Sequence, residues 1–404
     1  MGNERISNNW GRIFRGAAHG QSVGYLRDVL FYLGISLLLL APCFWQPRLE
    51  GGDLSSHIYH SWMPGLIENG RTMGVMVVHQ WGNVLFDLIL ANLFRLFGAE
   101  AAQRLSISMV VLTFVWGAFA FISVVSRSRP WHLMPCLAML AYGWVFHMGF
   151  FNFYLSLGLC FWAMALAWDW TAKRMAAAII LFLLALSAHA LPVIWTLGLL
   201  TYVWAARGRG AFGRTLVTVG YVAALLVVHA VLTQLTESHW SPAQFTMASG
   251  LDQVWIFDSK YYIVLMGLLA VWAMMFLGLV KGSGAREVVG GIPFQLCVLS
   301  AAAVSILPGT VLIPGFYHAL SFLAERMSLG VAVCVCAMLG AVRPRVTEKW
   351  ALVAVAILFF GFLYRDERVL NGFADRMENL TASTTPSLCA APGCMEHDHQ
   401  VPNY

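Results

Sequence analysis

Apolar and polar positions alternate along this chain in blocks far longer than the turns of one surface helix. Stretches of roughly 17–22 residues without a charge recur, each long enough to cross a bilayer as a helix. They predict spans at 29–46, 105–126, 131–147, 152–169, 175–188, 191–205, 215–235, 261–280, 288–309, 325–342 and 350–365. The fold class expected is therefore an all-α polytopic membrane protein with about eleven transmembrane helices. Residues 47–104 break the pattern. Within them, 54–62 reads as a short helix behind Gly51-Gly52-Asp53, and 83–98 places Asp87, Asn92 and Arg95 among Leu, Ile and Phe. That second run is polar on one side and short for a span, so it predicts a helix lying in the membrane interface.

Composition agrees. Of 404 residues, 59% are hydrophobic and 11% charged, against about 25% charged in an ordinary soluble domain. The first 28 residues carry Arg5, Arg12, Arg15 and Arg27 and no small-residue cleavage site follows, so the first apolar run is expected to stay as an anchor. Cys43, Cys136, Cys160, Cys297, Cys334 and Cys336 lie in apolar runs and read as packing residues. Cys389 and Cys394 fall in the tail, where they can pair in an oxidising compartment.

Charge fixes an expected orientation. With 83–98 kept out of the spans, the N-terminal arginines share one side with Arg127/Arg129, Lys173/Arg174, Arg207/Arg209/Arg214, Lys281/Arg286 and Arg343/Arg345/Lys349. That is 16 of the 25 basic residues, while the short connections 148–151 and 189–190 carry none. The positive-inside rule then puts the N-terminus in the cytoplasm and the C-terminus outside. The net charge of +5 reflects this topology and calls for no nucleic acid. Residues 1–28 form a cytoplasmic segment, 29–365 the membrane domain with its outer loop 47–104, and 366–404 a polar outer tail without a folded core.

The same orientation sorts the histidines. His57, His60, His79, His147, His189, His239 and His318 fall on or near the outer side, with His397 and His399 in the tail. In a helix starting after Asp53, His57 and His60 follow that carboxylate at i+4 and i+7, which places all three on one face. Asp53 is also a good N-cap. Asp53, His57 and His60 are the candidate catalytic residues. Glu325-Arg326 stands at the mouth of a span, where an ionisable pair facing a cavity marks function. The chain has no glycine-rich phosphate loop, no Gly-x-Ser-x-Gly elbow and no Cys-x-x-Cys pair. Asn379-Leu380-Thr381 matches a glycosylation sequon, and the stretch Cys394 to His399 is metal-capable in composition.

Gly52-Asp53 after the first span, the interfacial run 83–98, and Phe97-Gly98 followed by Arg104-Leu105 together resemble the GT-C superfamily of polytopic membrane glycosyltransferases. The resemblance covers most of the membrane region. It implies sugar transfer at the outer face of the membrane, in a bacterial inner membrane, from a polyprenyl-phosphate-linked donor. Asp53 would be general base or metal ligand, and a divalent cation, Mg or Mn, would be the cofactor. Arg95, Arg104, Lys260 and Arg326 would bind the donor phosphate and stabilise the leaving group, and His57, His60 and His189 would orient the sugar, share the base role or bind metal. Partners implied are the lipid-linked donor and membrane lipids. Leu54 departs from the family's frequent second carboxylate, so a metal site would have to borrow Asp87, Glu237 or Asp252. Many relatives carry a large folded domain after the last span, and the polar residues 366–404 are not expected to form one. Two other classes fit the composition: a transporter or flippase for a lipid or polar solute, with Pro308 and Pro314 breaking a helix, and a non-catalytic membrane assembly factor.

Overall fold

The computed structural model describes residues 22–70, 74, 81–315 and 319–388. His79, His318, Cys389, Cys394, His397, His399 and the first three arginines lie outside the described residues. Over the described residues the fold is all-α apart from one small ribbon. In chain order the helices are α1 (Ser22–Leu39), α2 (Leu54–Glu68), α3 (Leu85–Phe97), α4 (Ala99–Ser126), α5 (Met134–Ala141), α6 (Trp144–His147), α7 (Phe151–Ala167) and α8 (Ala172–Ala188). There follow α9 (Ala190–Ala206), α10 (Ala211–Leu235), α11 (Tyr261–Ser283), α12 (Ala285–Val289), α13 (Ile292–Ile306), α14 (Leu323–Leu339) and α15 (Val346–Leu388).

Four of these, α4, α10, α11 and α15 through Leu380, are long and apolar enough to cross a membrane; α7, α9 and α13 are shorter apolar helices. Their roles differ by burial. The apolar window of α4 is 67% buried and that of α10 only 6%. Helix α10 instead exposes Leu216, Val219, Leu226, Val227, Val231 and Leu235. An exposed face this apolar is stable against lipid and costly in water. At the centre, α4 crosses α7 with almost no side chain between them. A Cβ on Gly117 would meet the Gly158 carbonyl oxygen at 2.5 Å, and one on Gly158 would meet Phe114 Cα at 2.8 Å. Small residues at the crossing let the backbones touch, which is how helices associate when both are surrounded by apolar groups.

One end of the fold carries the basic turns, held by Arg214 to the Gly290 carbonyl (3.1 Å) and Ser128 to the Gly340 carbonyl (2.9 Å). The other end is capped by α2, α3, the segment 236–260 and a two-stranded antiparallel ribbon, β1 (Glu237–His239) and β2 (Thr310–Leu312). The ribbon joins two loops that the sequence presents as separate. The apolar run 131–147 is not one helix either. It breaks between α5 and α6, where the Val145 N–H turns to the Gln253 side chain at 3.3 Å.

The tail expectation needs correction over its described part. The last helix does not stop near 365 but continues to Leu388. Two buried polar residues explain why. Glu367 takes Trp45 Nε1 and His147 Nε2, the latter at 3.3 Å. Asn371 accepts the Arg48 N–H at 2.8 Å and donates to the Arg48 carbonyl and Glu50. Arg48 then pairs with Asp375 and Glu378. The polar residues that look like tail from sequence are the inner face of a helix packed on residues 45–50. Ending the chain after residue 365 is expected to lower stability by roughly 3–5 kcal/mol, because His147, Trp45 and the Arg48 backbone lose buried partners. Thermal unfolding of the purified protein in detergent reads this directly; an unchanged midpoint would mean the extension is only an appendage.

Candidate functional site

The site begins with a backbone seam. The chain at 51–53 lies along 147–149, with the Gly52 N–H bonded to the His147 carbonyl (2.8 Å) and the Asp53 N–H to the Met148 carbonyl (3.0 Å). Gly149 has φ +76°, and a Cβ there would meet Asp53 N at 2.4 Å. Only glycine allows this approach. The seam starts α2 with Asp53 at the N-cap position, as the sequence predicts, but the carboxylate makes no capping bond. It stands exposed instead, at the mouth of a cleft of about 70 Å³ lined by Asp53, His57, Asn83, Phe150, Asn152, Phe153, His189 and Arg326.

His57 is locked from behind. Its Nδ1 lies 2.6 Å from Asp87 Oδ1 on α3 and its Nε2 lies 3.2 Å from the Gly149 carbonyl oxygen. Both ring nitrogens thus face oxygens of the protein, which fixes the orientation of the ring. The second Asp87 oxygen accepts from Asn152 Nδ2 at 2.7 Å. Asn152, buried on α7, also accepts the Phe86 N–H (2.8 Å) and donates to the Asn83 carbonyl (3.0 Å). A chain of polar groups thus runs from α7 through Asp87 to His57, walled by the Phe86 and Phe151 rings.

His189 is the opposite case. It sits between α8 and α9, its carbonyl held by Ser156 (2.8 Å) and its ring edge-on to Phe153. The Leu191 N–H donates to Nδ1 at 3.2 Å, so the hydrogen of the neutral ring is on Nε2. That Nε2 faces Arg326 Nη1 at 3.4 Å. Two donors therefore confront each other across the cleft. Burial, and then the positive charge of Arg326, lower the His189 pKa to about 4, so the ring is neutral near pH 7. The Arg326 guanidinium lies 3.7 Å over the Phe150 ring, and its buried Nε has no hydrogen-bond partner among the described residues. Asp53 and Glu325 act on it electrostatically. An acceptor carrying negative charge, placed between His189 and Arg326, satisfies both donors.

The wall behind Arg326 is also polar. Gln253 Nε2 donates to the Glu325 carbonyl (2.9 Å) and Ser328 Oγ (2.8 Å), pinning residues 251–254 onto the first turn of α14. Asp252 accepts from Ser328 Oγ at 2.5 Å and from Gln253, but its Oδ1 is buried without a partner among the described residues. Burial raises its pKa to about 7, against the hydrogen bonds from Ser328 and Gln253 and with help from the charge of Glu325. Because the folded value exceeds the unfolded one, the stability Asp252 contributes is present below its ordinary pKa and is lost as pH rises towards 7. Asp252→Asn is expected to remove this loss. The midpoint of Asp252→Asn should climb relative to the wild type from pH 4 to 7 and then level off, a span worth up to roughly 4 kcal/mol. Parallel midpoints across that range would refute it.

Of the candidates named from sequence, the cleft unites Asp53, His57, His189 and Arg326. The other four stand elsewhere. His60 points away and lines an open depression with Ser55, Ser56 and Tyr59. Arg95 is exposed opposite Glu68 at 3.4 Å. Arg104 donates to the carbonyls of Cys43, Gln46 and Pro47, tethering the turn after α1. Lys260 is held between Asp258 and Asp366. Asn152 escaped sequence reasoning, although a lone amide at the head of the predicted span 152–169 was the signal available.

A divalent cation does not fit this donor set. Among the described residues no three His, Cys, Asp or Glu side chains converge as ligands. Both Asp87 oxygens are taken by His57 and Asn152, which leaves Asp53 as the open carboxylate of the cleft, facing a guanidinium. In comparisons with known proteins, the chain matches no family model, no curated protein and no solved structure.

Proposed function

We propose that this protein is a polytopic membrane glycosyltransferase of GT-C type. It moves a sugar from a polyprenyl-phosphate carrier to an acceptor hydroxyl at the outer face of a bacterial inner membrane. In this reading eleven spans cross the bilayer, the N-terminus is cytoplasmic, and the capped end of the bundle faces outward. The observation that carries the proposal is the meeting of one open carboxylate, Asp53, with the opposed donors of His189 and Arg326 in a single cleft.

The chemistry follows from that meeting. The donor phosphate sits between the His189 Nε2 hydrogen and the Arg326 guanidinium. Asp53 accepts the proton of the acceptor hydroxyl as its oxygen forms a bond to the anomeric carbon. The bond from that carbon to the phosphate oxygen breaks, and its electron pair goes to the phosphate. Arg326 and His189 stabilise the charge that develops there, through donors already in place before reaction. His57 carries none of the base role that its position next to Asp53 suggests, since both its nitrogens are engaged; it fixes the cleft wall. The test compares envelope glycans of cells carrying wild-type protein and Asp53→Asn. Loss of one glycan supports transfer. Unchanged glycans with altered lipid or solute transport would sink it.

A further inference from the structure

Phe322 breaks two local rules at once. It precedes α14 with φ 58° and ψ 34°, a left-handed conformation that a bulky aromatic residue rarely adopts. It also occupies the N-cap position, where Ser, Thr, Asp or Asn is preferred, and offers no capping bond. Three other non-glycine residues among those described have positive φ: Asn83, Arg127 and Trp170. Asparagine tolerates that region. Arg127 closes α4, where left-handed geometry is ordinary, and Trp170 lies in the short turn between α7 and α8. Nothing in the local sequence favours the Phe322 conformation, so its surroundings impose it. The Leu323 N–H is bonded to the Gly309 carbonyl at 2.9 Å. The Phe322 ring packs 5.9 Å from both Phe150 and Trp144. Yet that ring is 41% exposed, where Phe150 is 8% exposed. Strain kept at a partly exposed ring beside a binding cleft points to a ligand.

Position along the helix says which part of the ligand. The Arg326 N–H bonds to the Phe322 carbonyl at 3.0 Å, so Arg326 lies one turn further into α14, about 6 Å deeper. Its guanidinium covers Phe150, and Phe322 is the next ring towards the capped end. The cleft of about 70 Å³ has room for a group the size of a few water molecules, which suits a phosphoryl group and leaves the sugar outside. In the orientation proposed above, a phosphate held at Arg326 would have its prenyl chain towards the bilayer and its sugar towards the capped end, past Phe322. The apolar C–H face of a sugar ring packs well on an aromatic ring. The geometry points to Phe322 as the stacking face for the donor's sugar, a residue that determines which donor is preferred. This inference rests on the role proposed above for Arg326.

The experiment uses the purified full-length protein and defined probes: farnesyl phosphate, and farnesyl phosphate bearing glucose, mannose or arabinose. Affinities are read by thermal shift. The wild type should hold at least one sugar-bearing probe about tenfold more tightly than farnesyl phosphate. Phe322→Gly should bring that ratio to about one, leave the farnesyl phosphate affinity in place and not lower the unfolding midpoint, because glycine adopts this φ freely. Phe322→Leu, which keeps apolar bulk without the flat ring, should also lose the preference. A Phe322→Gly protein that keeps the wild-type ratio, or a wild type with no sugar preference, overturns the stacking role alone. A wild type that binds no probe overturns both this role and the phosphate site.

Discussion

Asp53→Asn is expected to cut the proposed sugar transfer by about 10³-fold while leaving the fold intact. A positioned general base contributes on the order of 10²–10⁴ to rate, and asparagine keeps the shape while removing the basic oxygen. The fold should not notice, since the Asp53 side chain is exposed and makes no capping bond; the seam is held by backbone groups. The kinetic signature is specific. Removing a negative charge that acts on Arg326 favours an anionic donor, so KM should stay level or fall while kcat collapses. Arg326→Ala should behave differently, raising KM and lowering kcat together, with the loss in kcat about 10²–10³-fold by analogy with the removal of a donor to a developing oxyanion. Initial rates with a prenyl-phosphate sugar separate the two patterns. Asp53→Asn within threefold of the wild type would remove Asp53 from the chemistry.

How far the sequence reaches differs residue by residue. Asp53, His57, His189 and Arg326 were visible because each is polar at the edge of an apolar run, where burial without purpose is costly. The same criterion picked Arg104 and Lys260 and could not tell their purpose. A cation near a span's edge reads alike whether it faces a ligand, a carbonyl or a carboxylate, and the partners here lie far off in sequence. Arg104 meets the carbonyls after α1, and Lys260 meets Asp366 on the last helix. The helical spacing placed His60 with Asp53, but Asp53 precedes the helix at the N-cap, so the periodicity that relates His57 to His60 does not extend cleanly to it. The helix beyond 365 was hidden for a related reason. Its polar composition reads as solvent-facing, and only the burial of Glu367 and Asn371 against Trp45, His147 and Arg48 shows that the polarity serves packing.

Gly149→Ala is expected to cost roughly 3–5 kcal/mol, about as much as a cavity in the core. Two terms add. Alanine at φ +76° pays about 1–2 kcal/mol for the left-handed conformation alone. Its Cβ would also lie 2.4 Å from Asp53 N and 3.0 Å from Leu54 N, and these are backbone atoms that no rotamer change can move aside. Relief must come from opening the seam, which breaks the Asp53 N–H bond to the Met148 carbonyl and draws the Gly149 carbonyl off His57 Nε2. Gly52→Ala should be milder, its Cβ meeting the Met148 carbonyl oxygen at 3.0 Å, and Gly65→Ala, with open space around it inside α2, should be neutral or stabilising by about 0.5–1 kcal/mol. Thermal midpoints of the three variants should fall in that order. A Gly149→Ala protein as stable as Gly65→Ala would show that the side-chain chain through Asp87 and Asn152 holds α2 by itself. The expected order instead makes the backbone seam what fixes Asp53 opposite Arg326.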